Sequence, residues 1–450
     1  MNFELVIIGA GPGGYAAALA AGRNGLKTAL VESGPLGGTC LNKGCVPTKL
    51  LLGTTSPEAE LDGQKRLRLA RGEISFDLAA VQNRKKILIS ATRKSMQDSL
   101  EKAGITIVQG RARLDGPGRL VVEDETIKYS SLILAMGSRS GSPPAVSPDH
   151  DRILTSTSAL ELETVPESLA VIGAGPVGIE LAEIFSRLGT EITLIEALDS
   201  VAPHEDPQIG LELTRYFKRK KWVLKTGVRV ESVSPGSSGL VIRLDSGQEV
   251  EVEKCLVATG RLPAGSGMNL KSADIQTQGP GWIKTDQYLR AAPGIYAVGD
   301  VNGKSMYAHA ASHQAEYAVA HILGAQTSPY PFPAIPSCIY GSMEVVRTGI
   351  LPDHPWLREK EIKVSKAMTA ANPIVQGHGL IQGFIKVFWS QGRVTGITGA
   401  GHGLSGLVNL CQVITQQQWT KQEARQYIFA HPTLDETLKE ALLAPWLENG

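Results

Sequence analysis

Two cysteines with four residues between them set the chemistry open to this chain. Gly37 to Lys49 reads Gly-Gly-Thr-Cys-Leu-Asn-Lys-Gly-Cys-Val-Pro-Thr-Lys, with Cys40 and Cys45 inside it. Five residues of regular helix rise about 7.5 Å, and the Cα atoms of a disulfide lie about 4.4–6.8 Å apart. An undistorted helix therefore cannot bridge the pair. A strained helix start can, and Gly44 supplies the backbone freedom. A strained, partly exposed disulfide is easily reduced. A helix N-terminus and a nearby lysine also lower the pKa of a released thiol. The pair reads as a redox dithiol rather than a structural disulfide, which an intracellular chain rarely carries. Zinc is disfavoured, because the spacing is not that of a zinc knuckle and no second Cys/His pair lies near.

Two repeats of one pattern stand around this segment. Glu4 to Ile8 is β-rich, Gly9-Ala-Gly11-Pro-Gly-Gly14 follows, an Ala-rich helix runs from Tyr15 to Asn24, and a strand from Thr28 to Val31 ends at Glu32. The second copy has a strand at Leu169–Ile172, then Gly173-Ala-Gly175-Pro-Val-Gly178 and a helix to Arg187. Its last strand, Glu191–Ile195, ends at Glu196. In both, the acid lies eighteen residues after the third glycine. Such glycines bring the backbone and a helix N-terminus up to a pyrophosphate, and the acid takes a ribose diol. Two intact copies predict two dinucleotides. The first runs straight into the cysteines, and a dithiol passes two electrons to a group that can hand them on as hydride. FAD is therefore expected at the first copy. Glu196 repels a 2′-phosphate and no arginine follows it closely, so the second copy is expected to take NAD rather than NADP.

The 37–49 segment resembles the active-site segment of the flavin-dependent pyridine nucleotide-disulfide oxidoreductases, most closely the dihydrolipoamide dehydrogenases, and matching motifs run from Ile7 to near the C-terminus. The resemblance implies that Cys45 faces the flavin, that Cys40 exchanges with substrate, and that Lys49 sits by the flavin ring, paired with Glu180. It implies cofactor contacts at Gly38, Thr39, Ala112, Gly137 and Ser138, at Val228, and at Gly260 in the Thr-Gly-Arg loop that touches the nicotinamide. Thr285 to Asp300 resembles the family's second flavin motif, so Asp300 is expected on the ribityl chain or its phosphate. Met306, Ala308 and His309 open the next helix, whose N–H groups are expected at the flavin. In His431-Pro432-Thr433-Leu-Asp-Glu436 the resemblance makes His431 the base that serves the partner subunit and Glu436 its orienter. Thr433 and Glu436 also read as a capping box. Imidazole suits a dithiol near neutral pH. Met136 stands where the family usually has Thr.

A length of 450 residues suits about three domains. With 45 basic and 44 acidic residues there is no bulk attraction to nucleic acid or membrane. No apolar run reaches the ~18 residues of a membrane span, and the apolar N-terminus lacks a basic start, which predicts a cytoplasmic protein. Lys218 to Lys221 reads as a solvated helix end. Cys255, Cys338 and Cys411 read as buried apolar residues.

The expected fold is α/β: two Rossmann-like dinucleotide-binding domains, the FAD domain discontinuous, and an α+β dimerisation domain. The expected boundaries are 1–142 for FAD, 143–264 for NAD, 265–330 for the return to the FAD domain and 331–450 for dimerisation. A long helix is expected at Leu78–Lys102, with strands at Ile105–Val108, Leu120–Val122, Ile127–Tyr129 and Leu132–Ala135. From Tyr330, with Pro331, Pro333 and Pro336 as markers, four alternating strands and three helices follow. Leu351 to Glu359 is Pro/Trp-bearing where the family usually has a helix.

These features predict a homodimer that oxidises a protein-bound dihydrolipoyl group and reduces NAD+, with no metal. The alternatives are another NAD(P)H-dependent disulfide reductase of the family, or a non-catalytic FAD/NAD-binding subunit of a lipoyl-protein complex. Glutathione-type enzymes want basic residues after the second glycine motif, and mercuric reductase wants a C-terminal cysteine pair. Neither feature is present.

Overall fold

The strand–glycine–helix–strand–acid pattern is realised twice, in two separate sheets. The structure, a computed structural model, describes residues 1–237, 239–331, 334–351 and 361–447. Pro333 and the 352–359 part of the Pro/Trp-bearing stretch lie outside these residues. The chain divides into two compact units. One comprises Met1–Thr48, Gln82–Gly141 and Gly260–Pro331; the other comprises Lys49–Val81, Ser142–Thr259 and the described residues of Phe332–Gly450.

In the first unit the sheet order is Arg290–Ala292, Ile295–Ala297, Glu125–Leu134, Asn2–Ile8, Thr28–Glu32, Thr106–Gln109. All neighbours but the first pair are parallel. Leu5 to Ile8 are buried in succession, as expected of a strand covered on both faces. The Pro12–Arg23 helix starts on proline, whose missing N–H costs nothing there. Its small residues permit close packing: a Cβ on Gly13 would lie 3.4 Å from the Ala311 Cβ on the Ala308–Ile322 helix. The expected strands at Ile127–Tyr129 and Leu132–Ala135 are one strand, Glu125–Leu134. The short strand Ala112–Leu114 was not expected; it pairs with Arg119–Val122.

The second unit holds a parallel sheet ordered Val223–Thr226, Glu191–Glu196, Ser168–Ile172, Lys254–Val257, Ile153–Thr155. A three-stranded antiparallel sheet spans Val230–Pro235, Leu240–Leu244 and Glu249–Val252. The C-terminal residues form an antiparallel sheet ordered Ser337–Ile339, Glu344–Gly349, Arg393–Gly401, Phe384–Ser390, Ile362–Met368. Of these, Glu344–Gly349 was not foreseen. Three helices, Val408–Gln416, Lys421–Gln426 and Asp435–Leu443, follow in the chain. Lys421–Gln426, the middle one, is short. It stops at Gln426 because Tyr427 turns extended and stacks its ring 4.1 Å from that of Trp419.

A 22-residue helix, Cys45–Arg66, carries the second cysteine and Lys49. Pro57 lies inside it and has no N–H for the Gly53 carbonyl. The Ser56 hydroxyl donates to that carbonyl instead, at 3.0 Å. The basic run at the end of the Pro207–Arg219 helix is not wholly solvated. Lys220 reaches the Cys45–Arg66 helix, 3.0 Å from Asp62 and 3.8 Å from Glu58. Among the described residues no helix is long and apolar enough to cross a membrane.

Candidate active site

Cys40 lies in a six-residue helix, Gly38–Lys43, and Cys45 opens the next helix. The break falls at Gly44, with φ −147° and ψ −106°. Cys40 is half-buried and Cys45 exposed. Asn42, between them, ties the turn down: its amide donates to the carbonyls of Leu36 (2.9 Å) and Gly38 (2.8 Å) and accepts from Arg93 Nε at 2.7 Å. The segment is stitched to the first glycine loop. The Gly37 N–H donates to Ala10 O at 2.9 Å, and a Cβ on Gly38 would lie 2.7 Å from Gly11 Cα. Thr39 is exposed at this junction.

The two glycine motifs match in detail. A Cβ on Gly9 would meet Ala135 O at 2.6 Å, and one on Gly173 would meet Ala258 O at 2.5 Å. Their φ values are +97° and +107°. Gly14 and Gly178 pack so tightly on Gly9 O and Gly173 O that no side chain fits. The middle glycines differ from these. Gly175 has nothing within 4 Å of a Cβ, and Gly11 only the Gly38 Cα at 4.0 Å. Packing therefore demands the first and third glycines. The second leaves the space a pyrophosphate needs.

The acids match as well. Glu32 accepts from the N–H groups of Ala10 (2.7 Å) and Gly34 (2.8 Å), and Glu196 from those of Ala174 (2.7 Å) and Leu198 (2.9 Å). Each oxygen takes one backbone donor and keeps a lone pair for a ribose hydroxyl. The Val228 N–H donates to the Glu196 carbonyl at 3.2 Å. The residues present fit one dinucleotide in each unit.

Asp300 sits in a one-turn 3₁₀ helix, Gly299–Asn302, braced by the buried Gln314 through the Gly299 N–H (2.8 Å) and the Asn302 amide (2.9 Å). Its Oδ2 accepts from Ser138 Oγ at 2.5 Å. Arg261 donates to both Ser138 Oγ (2.6 Å) and Ser138 O (2.8 Å), and lies 3.6 Å from Asp300 Oδ2. Arg261 thus joins the Gly137-Ser138 turn to Asp300. Gly260 accepts from the Gly141 N–H in the same unit. The following helix begins at Ala308, with His309 next. Met306 lies just before it and is exposed. Ala112 opens its short strand.

In the second unit Lys49 Nζ donates to Glu180 Oε2 at 2.6 Å. The other Glu180 oxygen accepts from the Tyr340 N–H at 3.1 Å, and the Tyr340 ring lies 4.6 Å from the ammonium. Burial pushes the Glu180 carboxyl above the usual range, against the opposing Lys49 charge. One turn on, Glu183 is fully enclosed. It accepts from Tyr216 OH (2.9 Å) and from Ser342 N–H (3.2 Å) and Oγ (2.5 Å), and pairs with Arg187 at 3.1 Å. Burial pushes its carboxyl up, but the Arg187 charge and the hydrogen bonds outweigh this and hold it below the usual range. Arg187 also donates to Leu52 O at 2.9 Å, which holds the Cys45–Arg66 helix.

His431 is 77% exposed at the side chain, with Nδ1 3.0 Å from each oxygen of Glu436. A carboxylate accepts, so Nδ1 carries the proton and Nε2 presents its lone pair. Hydrogen bonds from His431 and from the Thr433 N–H keep the Glu436 carboxyl below the usual range. The capping box is only half made. Glu436 accepts from the Thr433 N–H at 3.2 Å, but the Thr433 hydroxyl donates back to Ala430 O at 2.7 Å. Away from these groups, burial pushes the Cys255 and Cys411 thiols up to about 12 and the half-buried Cys338 up to about 11.

Sequence reasoning had not singled out Arg93, Arg187, Arg261 or Tyr340. Arg93, Arg261 and Tyr340 act on residues tens of positions or more away in the chain, so no local spacing marks them; Arg187 stands four residues after Glu183 but also reaches Leu52, 135 positions away. Asn42 was legible only as part of the cysteine segment.

Residues 3–315 match the model of the pyridine nucleotide-disulphide oxidoreductases, and residues 335–442 match that family's dimerisation domain. The chain is 32% identical to the dihydrolipoyl dehydrogenase of Chlorobaculum tepidum, over 98% of this chain and 96% of that protein. It is 31% identical to the dihydrolipoyl dehydrogenase of Bacillus subtilis, over 98% of each. The crystal structure of LpdA from Mycobacterium tuberculosis superposes with a TM-score of 0.89 at 27% identity, covering 97% of this chain and 98% of that one. RclA, an HOCl-induced flavoprotein disulfide reductase from Escherichia coli, shares the fold at 22% identity, with a TM-score of 0.88 over 98% of this chain and 99% of its own. The chain belongs to the pyridine nucleotide-disulphide oxidoreductases, oxidoreductases that use FAD and NAD(H).

Proposed function

We propose that this chain is a homodimeric dihydrolipoamide dehydrogenase that oxidises protein-bound dihydrolipoyl groups and reduces NAD+. The full-length similarity to proteins named dihydrolipoyl dehydrogenase supports the substrate class. The observation that carries the reading is the His431–Glu436 pair, an oriented base on an exposed turn. In the proposed cycle Nε2 of His431 in one subunit takes the first thiol proton of the substrate. The thiolate attacks Cys40 Sγ in the other subunit and breaks the Cys40–Cys45 bond, which leaves Cys45 as thiolate. The second substrate thiol displaces Cys40 and closes the lipoyl ring, so substrate is oxidised as the enzyme pair is reduced. Bound FAD supplies the path by which this electron pair leaves Cys45 and reaches NAD+ as hydride. Glu32 and Asp300, with the first glycine motif and Gly38, would hold FAD. Glu196 and Val228 with the second motif would hold NAD. Lys49, paired with Glu180, would place a fixed positive charge at the flavin. A cytoplasmic location suits a chain whose redox pair is recycled.

The test is NAD+ reduction by free dihydrolipoamide and by lipoylated carrier proteins. We expect turnover with both, with Cys45→Ser abolishing it while FAD stays bound. Full lipoamide activity in Cys45→Ser, or none in the parent protein loaded with FAD, would sink this reading.

A further inference from the structure

The Lys49–Glu180 pair is held from both ends by one residue outside it. Tyr340 follows the Ser337–Ile339 strand, in the C-terminal part of the second unit. Its backbone N–H donates to Glu180 Oε1 at 3.1 Å, while Lys49 holds Oε2 at 2.6 Å. Its ring stands 4.6 Å from the Lys49 ammonium, within cation–π range. The backbone here is not free to drift. Two residues on, Ser342 gives both its N–H and its hydroxyl to Glu183, on the same helix as Glu180. Cys338, two residues back on the preceding strand, is half-buried. Tyr340 is therefore held through its backbone and meets the ammonium across its ring face.

We propose that Tyr340 is a positioning residue for the Lys49 ammonium: its N–H orients the Glu180 carboxylate, and its ring takes the cation. A lysine paired only with a carboxylate swings on four rotatable bonds. Held by both a carboxylate and a π face, its charge stays at one point. The assignment rests on the reading that places Lys49 at the flavin. It extends that reading by making the C-terminal part of the chain a determinant of how readily the flavin accepts electrons.

The effect is read at equilibrium rather than as turnover. In holoprotein carrying Cys45→Ser no Cys40–Cys45 disulfide can form, so the flavin titrates alone against NADH/NAD+ mixtures, followed by its visible absorbance. A cation–π contact of this kind corresponds to roughly a three- to thirty-fold change in an equilibrium constant. We expect Tyr340→Leu to lower the constant for flavin reduction by that factor, Tyr340→Phe to leave it unchanged, and Lys49→Met to lower it at least as far. The Tyr340→Leu, Lys49→Met pair should match Lys49→Met alone. Tyr340→Met, closer in length and also without a ring, serves if the leucine variant fails to fold. An unchanged constant in the ringless variants, or a drop that persists in the Lys49→Met background, overturns the role of Tyr340. An unchanged constant in Lys49→Met overturns instead the placement of Lys49 at the flavin, and this assignment with it.

Discussion

Replacing Arg187 by methionine should leave Glu183 charged, buried and without its counter-ion. Both side chains are only 3% exposed. The variant keeps the neutral donors Tyr216 OH, Ser342 N–H and Ser342 Oγ on Glu183 but loses the guanidinium, along with the bond to Leu52 O. Removing one partner of a buried pair costs about 3–5 kcal/mol. At about 2–4 °C per kcal/mol for a domain of 150–250 residues, the second unit should melt roughly 6–20 °C lower. The pH dependence carries a sign. In the parent, Glu183 lies below its ordinary value of 4.5. A depressed carboxyl contributes stability above the unfolded value and loses it as pH falls through the folded value. In the variant burial remains and the Arg187 charge, its largest opponent, is gone, so the carboxyl moves up from its position in the parent. Its ionised form is then favoured less by folding than in the parent, so the variant gains less stability as pH rises. The gap in melting temperature between parent and variant should therefore widen from about pH 4 to about pH 7. Thermal unfolding followed by far-UV circular dichroism across that range measures it. Glu183→Gln added to Arg187→Met should recover part of the loss, since no unpaired charge remains. A gap that does not change with pH, or a double variant no better than the single, refutes the reasoning.

Two further outcomes are expected. NAD should outcompete NADP by roughly a hundredfold in kcat/KM, because a carboxylate near a 2′-phosphate costs a few kcal/mol; comparable values for the two cofactors contradict this role of Glu196. Mixing His431→Gln chains with Cys45→Ser chains should restore activity that neither homodimer has. Loss of a general base costs about 10²–10⁴ in rate, and in the mixed dimer one site regains both an intact disulfide and an intact base. A mixture as inactive as its parents after verified subunit exchange places the base in the same chain as its cysteines.

What the sequence made legible was local or periodic. The two glycine motifs, the eighteen-residue spacing to Glu32 and Glu196, and the Leu78–Lys102 helix follow from spacing along one stretch, and the structure has each of them. A helix start at the cysteines was anticipated, but its run to Arg66 was not, because Pro47, Gly53, Pro57 and Gly63 disguise it. It stands because a serine hydroxyl and contacts far along the chain compensate. Ala112–Leu114 is too short to show a period of two. In Glu344–Gly349 the arginine is spoken for by Glu205, which no window of sequence reveals. The same holds for the contacts that brace the candidate site. Arg261 on Ser138, Tyr340 on Glu180 and Arg187 on Leu52 span 123, 160 and 135 positions.

The matched clamps on Glu32 and Glu196 bear on re-engineering. Converting the second site to NADP invites replacement of Glu196 by a neutral or basic residue. Yet Glu196 is also the acceptor for the Ala174 and Leu198 N–H groups, so the substitution strips two backbone donors of their partner at the mouth of the glycine turn. Cofactor taste and loop architecture share one side chain. A variant built only to relieve charge repulsion should therefore bind either nucleotide poorly. A successful switch has to return an acceptor to those two amides, as a serine or asparagine side chain can, before any arginine for the phosphate is of use.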